Sequence, residues 1–314
     1  MISITRQTGV FAAILLLITI VVSILRLYIN PFEAELAECA YLPLWWQSIL
    51  AGIMLFVAAI IVNRAAVKVG LFGGFSSLPV SLFGFISCTI LLSPNLLTAA
   101  AASLLTAAGA MFLIRSLQFM NDKESLFTGC LLLGFSAVIY HPCIVLAAII
   151  PISIFIFPLS VRRIIIAITG YLLPLLGASY LNWYMGGEIT DLALHIYKSL
   201  SGGIIDFSLS PLPIFTIAIG AIFTITLIYG IMVGTFHRYS LLVPVRKTVQ
   251  IMLYMLIIST LSLLLVGNRV TMLPTIAVPA SIIAAFALDR MTPRWANTIY
   301  ITLLVLIVIH LIFY

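Results

Sequence analysis

The chain has 314 residues, of which 63% are hydrophobic and 8% charged, and its mean hydropathy is +1.28. A soluble domain is not built this way, since its apolar fraction lies near one half. The net charge of +6 would point to nucleic acid in a soluble protein; here basic residues held in cytoplasmic loops explain it, and no nucleic-acid partner is expected.

Apolar runs of about 20 residues can cross a roughly 30 Å hydrocarbon core as helices. Such runs are predicted at about 8–29, 44–63, 76–92, 95–118, 125–140, 142–160, 164–185, 210–234, 248–267, 270–288 and 296–314. They are continuous and lack the alternation of a membrane β-barrel. The expectation is an all-α polytopic transmembrane helix bundle of about 10–11 spans. It fills 1–314 as a single integral membrane domain with the N-terminus inside. Arg6 precedes a first run longer than a signal-peptide core, and no small-x-small site follows, so that run is expected to be retained. The pair 125–140 and 142–160 is short, and a re-entrant hairpin there would leave the charge pattern unchanged.

Orientation follows from the 15 Lys and Arg residues. With the N-terminus inside, only Arg26, Lys198 and Arg269 fall outside, and basic residues in short loops set topology. Six of the nine carboxylates, Glu33, Glu35, Glu38, Glu188, Asp191 and Asp206, fall outside instead. They sit in two outer-face segments, about 30–43 and 186–209.

In the first segment Asn30, Pro31 and Glu33 form a capping-box arrangement that starts a short helix. Glu35 and Glu38, three apart, share a face of it. They are the candidate catalytic pair, as general base or as metal ligands. Arg26 lies just upstream as a candidate for substrate binding. Trp45 and Trp46 mark the interface where the next span enters. That span ends at Arg64 and Lys68, before a Gly-rich turn (GLFGGFSS) without the GKS or GKT of a phosphate loop. The fourth span (NLLTAAAASLLTAAGAMFL) is rich in small residues, which let helices approach closely.

Tyr140-His141-Pro142 turns at the outer face and makes His141 a candidate ligand. The four cysteines, Cys39, Cys88, Cys130 and Cys143, are scattered and show no metal-ligand spacing. They read as small apolar residues, with a Cys39–Cys143 disulfide as the alternative. Arg162 and Arg163 anchor an inner turn and attract anionic headgroups. In the second outer segment DLALHIYKSL reads as an amphipathic helix lying on the surface. Asp191, His195 and Lys198 share one side of it, and all three are candidates for substrate binding. Arg269, in the last outer turn, suits an anionic group. The span after it contains Pro274 and Pro279, which tend to kink a membrane helix.

No Asp, Glu, Lys or Arg falls in the middle of any predicted span. A charge there costs roughly 2.5–3.5 kcal/mol and marks ion-coupled carriers, pumps and voltage sensors. The four histidines, His141, His195, His237 and His310, are expected near interfaces, not at the depth haem requires. Any chemistry is therefore expected at the outer interface, and no cofactor is evident.

The segments MFLIRSLQF, KESLFTGCLLLGFSAVIYHPCIVLAAI and FPLSVRRIIIAITGYLLPLLGASYL, in that order, resemble an uncharacterised family of bacterial polytopic inner-membrane proteins. LFTGCLLLGFSAVIYHPCIVLAAI and NRVTMLPTIAVPASIIAAFAL are also similar to parts of membrane glycosyltransferases of the C superfamily, which use polyprenyl-phosphate sugars. That resemblance implies an acidic residue in the first outer loop acting at the sugar or binding a divalent cation. Glu33, Glu35 or Glu38 would take this role, in a loop without aspartate, and Arg269 would meet the lipid phosphate. Together these likenesses imply a multi-pass protein of the bacterial inner membrane.

We read the chain as a non-catalytic subunit or scaffold of an envelope assembly, with the bilayer and other envelope proteins as partners. One alternative is a glycosyltransferase C-like enzyme acting on a polyprenyl-phosphate-linked substrate at the outer face, and only then with a divalent cation. The other is an uncoupled lipid translocator, whose polar path would use the amides Gln47 and Asn182.

Overall fold

The computed structural model describes residues 44–72, 76–87, 96–118, 122–156, 160–205, 214–236, 241–265 and 272–313, together with Leu17 and Val21. Among these residues the chain is an all-α bundle with no strand. In chain order the α-helices are α1 (Leu44–Lys68), α2 (Leu78–Ser87), α3 (Leu96–Gln118) and α4 (Lys123–Ile139). A 3-10 helix (His141–Ala148) and α5 (Ile149–Ile156) follow. The rest are α6 (Val161–Tyr184), α7 (Asp191–Ile205), α8 (Ile214–Phe236), α9 (Val243–Leu265), α10 (Leu273–Arg290) and α11 (Pro293–Phe313). Among the described residues five stretches are long and apolar enough to cross a membrane: Trp46–Lys68, Leu97–Ser116, Val161–Tyr184, Ala218–Phe236 and Leu273–Arg290.

The bundle is organised around α10. All fifteen residues from Pro274 to Leu288 are buried, and α1, α2, α3, α8 and α9 pack against it. A helix covered on every side must be apolar all round and slim enough for neighbours to approach. Ala277, Ala280, Ala284, Ala285 and Ala287 supply that slimness, while Phe286 is buried completely. Among the described residues the buried polar side chains are one Gln and otherwise Ser and Thr. Many of their hydroxyls donate back to a carbonyl one turn earlier. Ser103 Oγ reaches Ala100 O at 2.9 Å, Thr106 Oγ1 Ala102 O at 2.7 Å, and Ser136 Oγ Leu133 O at 2.7 Å. These three hydroxyls are thus satisfied without water.

The small residues expected to bring helices together in the fourth span do so. Gly109 of α3 faces Gly129 of α4, and a Cβ on either would lie 3.0–3.1 Å from the other's carbonyl oxygen. Gly109 also meets Leu133, and Gly129 meets Leu113, so α3 and α4 run antiparallel. The short connection between them is tied by Asp122. Its carboxylate accepts from Ser125 N at 3.1 Å and Ser125 Oγ at 2.6 Å, an N-cap on α4. It also pairs with Arg115 Nε at 3.1 Å.

α4 and α6 run parallel, since Phe127 meets Gly170 while Gly134 meets Tyr171 and Pro174. The segment between them therefore returns to the starting end. Its described helical part is sixteen residues, half of them 3-10. The segment expected at 142–160 as one continuous helix is thus wound as a stretched 3-10 helix in its first half. Tyr171 Oη donates to Ile144 O at 3.2 Å and holds the stretched segment against α6. Cys143 is a buried free thiol, 3.8 Å from Thr275 Oγ1 of α10. It behaves as the small core residue expected, not as half of a disulfide.

Two glycines on these helices give opposite expectations. A Cβ on Gly134 would press on the Tyr171 carbonyl, whereas one on Gly177 would meet nothing within 4 Å. Gly134→Ala is expected to destabilise by about 1–3 kcal/mol through overpacking, and Gly177→Ala to stabilise by about 0.5–1 kcal/mol. Thermal unfolding of the purified protein in detergent measures both.

Candidate functional site

Three of the candidate residues, His141, Asp191 and His195, meet near the corner where α6 ends and α7 begins. The end of α6 is a Schellman motif. The Gly186 N–H donates to Trp183 O at 3.0 Å and the Gly187 N–H to Asn182 O at 3.0 Å. Gly186 has φ +93°, which glycine adopts without steric cost. A Cβ on Gly187 would lie 2.7 Å from Asn182 Nδ2, so the second glycine leaves room for that carboxamide.

Asn182 uses this room to clamp the corner. Its Nδ2 donates to Glu188 O at 2.9 Å and to Asp191 Oδ2 at 3.0 Å. The same carboxylate oxygen accepts from the Glu188 N–H at 2.8 Å. It reaches back three residues as the acidic member of a capping box does, and its charge opposes the dipole at the start of α7. The Asn182 side chain, then the Glu188 N–H, and more weakly His195, hold the Asp191 carboxyl below its ordinary value of 3.8. Asp122, at the start of α4, is held low in the same way, chiefly by Ser125 and less by Arg115.

From this cap α7 runs on to Ile205, further than the expected 191–200, and packs against the 3-10 helix, α9 and α6. Leu192, Ile196, Ser199 and Leu200 are half-buried, while His195 and Lys198 are exposed. This is the two-sided pattern expected of DLALHIYKSL. The His195 ring stacks on that of His141, with centroids 6.2 Å apart and planes 15° from parallel. That separation lies in the range of favourable ring pairs, and it ties α7 to the first residue of the 3-10 helix.

Of the residues expected to bind substrate, His141, Asp191 and His195 are brought together, and Lys198 stands one turn further along α7. Arg26 and Arg269, the candidate catalytic pair Glu35 and Glu38, and also Glu33 and Asp206, lie outside the described residues. Among the described residues no group of three or more His, Cys, Asp or Glu could hold a metal ion. The residue that sequence reasoning misplaced is Asn182, considered there only as part of a polar path. The signal for its role was the pair Gly186-Gly187 immediately after a long apolar run, which marks a helix end.

The chemistry open to the corner is limited by Asp191. A general base suited to neutral pH has a pKa near 7, and this carboxyl is shifted the other way. Its lone pairs also hold the turn together. Comparison with protein-family models, with curated proteins and with solved structures gave no match for this chain.

A carboxyl whose folded-state value is depressed contributes stability that is present above its unfolded value and is lost as pH falls through the folded one. The corner is therefore expected to stay closed at neutral pH and to loosen only below pH 3.8, the ordinary value. Asp191→Asn is expected to loosen it at every pH. Hydrogen exchange of the backbone amides at 187–191, compared between wild type and variant, reads both effects.

Proposed function

We propose that the chain is a multi-pass protein of the bacterial inner (cytoplasmic) membrane. It serves there as a non-catalytic subunit or scaffold of an envelope assembly. The observation that carries this reading is the state of Asp191. Among the described residues, the carboxylate of Asp191, gathered with the candidate histidines, is bound by two donors that fix a turn, and its pKa is displaced away from that of a base. A carboxylate engaged in this way builds structure. The stacked His141 and His195 serve the same end by tying α7 to the bundle.

The outward surface supports a membrane protein with neighbours. α6 exposes Ile165, Ile168, Leu172, Leu176 and Leu181 along its length, which suits lipid or an apolar partner helix. Trp183 and Tyr184 are exposed at the end of this apolar face, the depth at which amphipathic rings favour the interface. A translocator would need a polar path, and Asn182, one of the two amides considered for it, is engaged at the corner.

A second reading is favoured by the gathering of His141, Asp191 and His195 with Lys198 close by. In it the chain is a glycosyltransferase C-like enzyme acting on a polyprenyl-phosphate-linked substrate at the outer face. Glu35 and Glu38 would then act at the sugar or hold a divalent cation, and Arg269 would meet the lipid phosphate.

One experiment separates the two. In a strain lacking the gene, the Glu35→Ala/Glu38→Ala double variant is expected to restore the wild-type phenotype at wild-type protein level. Loss of complementation with the protein level unchanged would sink the scaffold reading in favour of the enzyme.

A further inference from the structure

A second polar feature lies at the C-terminal end of α1, on elements that contribute nothing to the corner. α1 stays helical through Lys68, beyond the 44–63 expected for the span. Asn63, Arg64, Val67 and Lys68 therefore occupy its last turns, with 63 above 67 and 64 above 68 on adjoining rows. The helix closes on a Schellman turn at Gly70, which has φ +71°. The Gly70 N–H donates to Val67 O at 2.9 Å and the Leu71 N–H to Ala66 O at 3.3 Å. Ser76 and Ser77, just before α2, face those four residues. Together the six line a cavity of about 320 Å³, at the lower end of the roughly 300–1,000 Å³ range of small-molecule sites.

The lining has one sign of charge. Arg64 and Lys68 are exposed, and among the described residues neither is ion-paired. The sequence holds no Asp or Glu between Glu38 and Asp122. Ser76 and Ser77 are buried hydroxyls at the N-terminus of α2, where the dipole favours an anion. Asn63, also in the lining, adds a carboxamide whose Nδ2 can donate to an anion. Two cations, two hydroxyls, a carboxamide and a helix start around one hollow make a receptor for an anion with several oxygens. The arginine fork and the lysine point charge suit phosphate. The cations also stand at the end of a 23-residue apolar stretch, Trp46–Lys68, the depth of lipid headgroups.

We propose that this cavity binds a phosphate group, carried by the head of an anionic membrane lipid or present as the free ion. The site is independent of the function proposed above.

The test is a titration of the purified protein, read as the shift in thermal unfolding at matched ionic strength. One arm uses inorganic phosphate in neutral detergent. The other uses phosphatidylcholine nanodiscs with increasing phosphatidic acid. At least one arm is expected to stabilise the wild type saturably. Saturation with phosphatidic acid alone identifies a lipid headgroup site, and saturation with inorganic phosphate identifies a site for the free ion. In the responding arm Arg64→Gln/Lys68→Gln is expected to bind about tenfold more weakly or worse, a loss of at least roughly 1.4 kcal/mol. Asn63→Leu, which leaves the charge unchanged and removes the carboxamide from the cavity, is also expected to weaken binding. Arg290→Gln/Arg294→Gln, at two exposed cations away from the cavity, is expected to bind as wild type. The proposal is overturned if neither probe saturates or if Asn63→Leu binds undiminished. It is overturned equally if the Arg290/Arg294 variant loses as much affinity as the Arg64/Lys68 variant, which would mean diffuse attraction to basic surface.

Discussion

Everything in the bundle answers to one requirement, that α10 be enclosed on all sides. In lipid, apolar side chains gain little by leaving one oily environment for another, so helices associate through close packing. A central helix with bulky residues all round would hold its neighbours at a distance and leave gaps. Ala277, Ala280, Ala284 and Ala285 instead let α1, α2, α3, α8 and α9 approach together. The first turn of α10 contains Pro274, at a position where a missing N–H breaks no helical bond. Thr275 is oriented toward Cys143, so even the polar atoms of the core find soft partners. The same economy recurs where Gly109 meets Gly129 and Gly134 meets α6.

The two polar features sit on the same local device and use it for opposite charges. α1 and α6 each end in a Schellman turn with a glycine at positive φ, Gly70 and Gly186. After Gly186 the chain folds onto a carboxylate and consumes its hydrogen-bonding capacity within the turn. After Gly70 the chain swings back to place hydroxyls beside two cations and leaves a hollow between them. A turn that satisfies its own charge is a structural joint. One that leaves its charge facing an empty space is a receptor.

The helices were largely legible in the sequence because membrane spans declare themselves by length and continuity. The expected 95–118, 125–140 and 164–185 correspond closely to Leu96–Gln118, Lys123–Ile139 and Val161–Tyr184. DLALHIYKSL was legible too, because its polar and apolar residues separate at helical spacing. What hydropathy could not show was geometry at equal oiliness. HPCIVLAA is as apolar as its neighbours, and nothing in its composition distinguishes a 3-10 from an α-helix. Nor could it show partners distant in the chain. The stacking of His141 on His195 depends on α4 and α6 running parallel, which is a matter of glycine contacts. The turn GLFGGFSS lacks the signature of a phosphate loop, yet it carries Ser76 and Ser77 back to Arg64 and Lys68. That juxtaposition exists only in three dimensions. Glu35, Glu38 and Arg269 lie outside the described residues, so of the expected site the corner is the part described.

The winding of residues 141–148 carries a consequence for how this part of the chain tolerates change. With three residues per turn, side chains three apart stand in line. Cys143 and Leu146 therefore stand in a straight buried seam, 0% and 1% exposed, which meets Ile149, 3% exposed, at the start of α5. An α-helix would let that seam drift around the axis, and its neighbours could absorb the drift by twisting. Here no drift is available. Adding or removing a single residue inside the seam would turn everything beyond it by about 120°, exchanging the fully buried row for a half-buried one. This eight-residue segment is thus indifferent to which oily side chain it carries, within the limits of size, and intolerant of any alteration in their number.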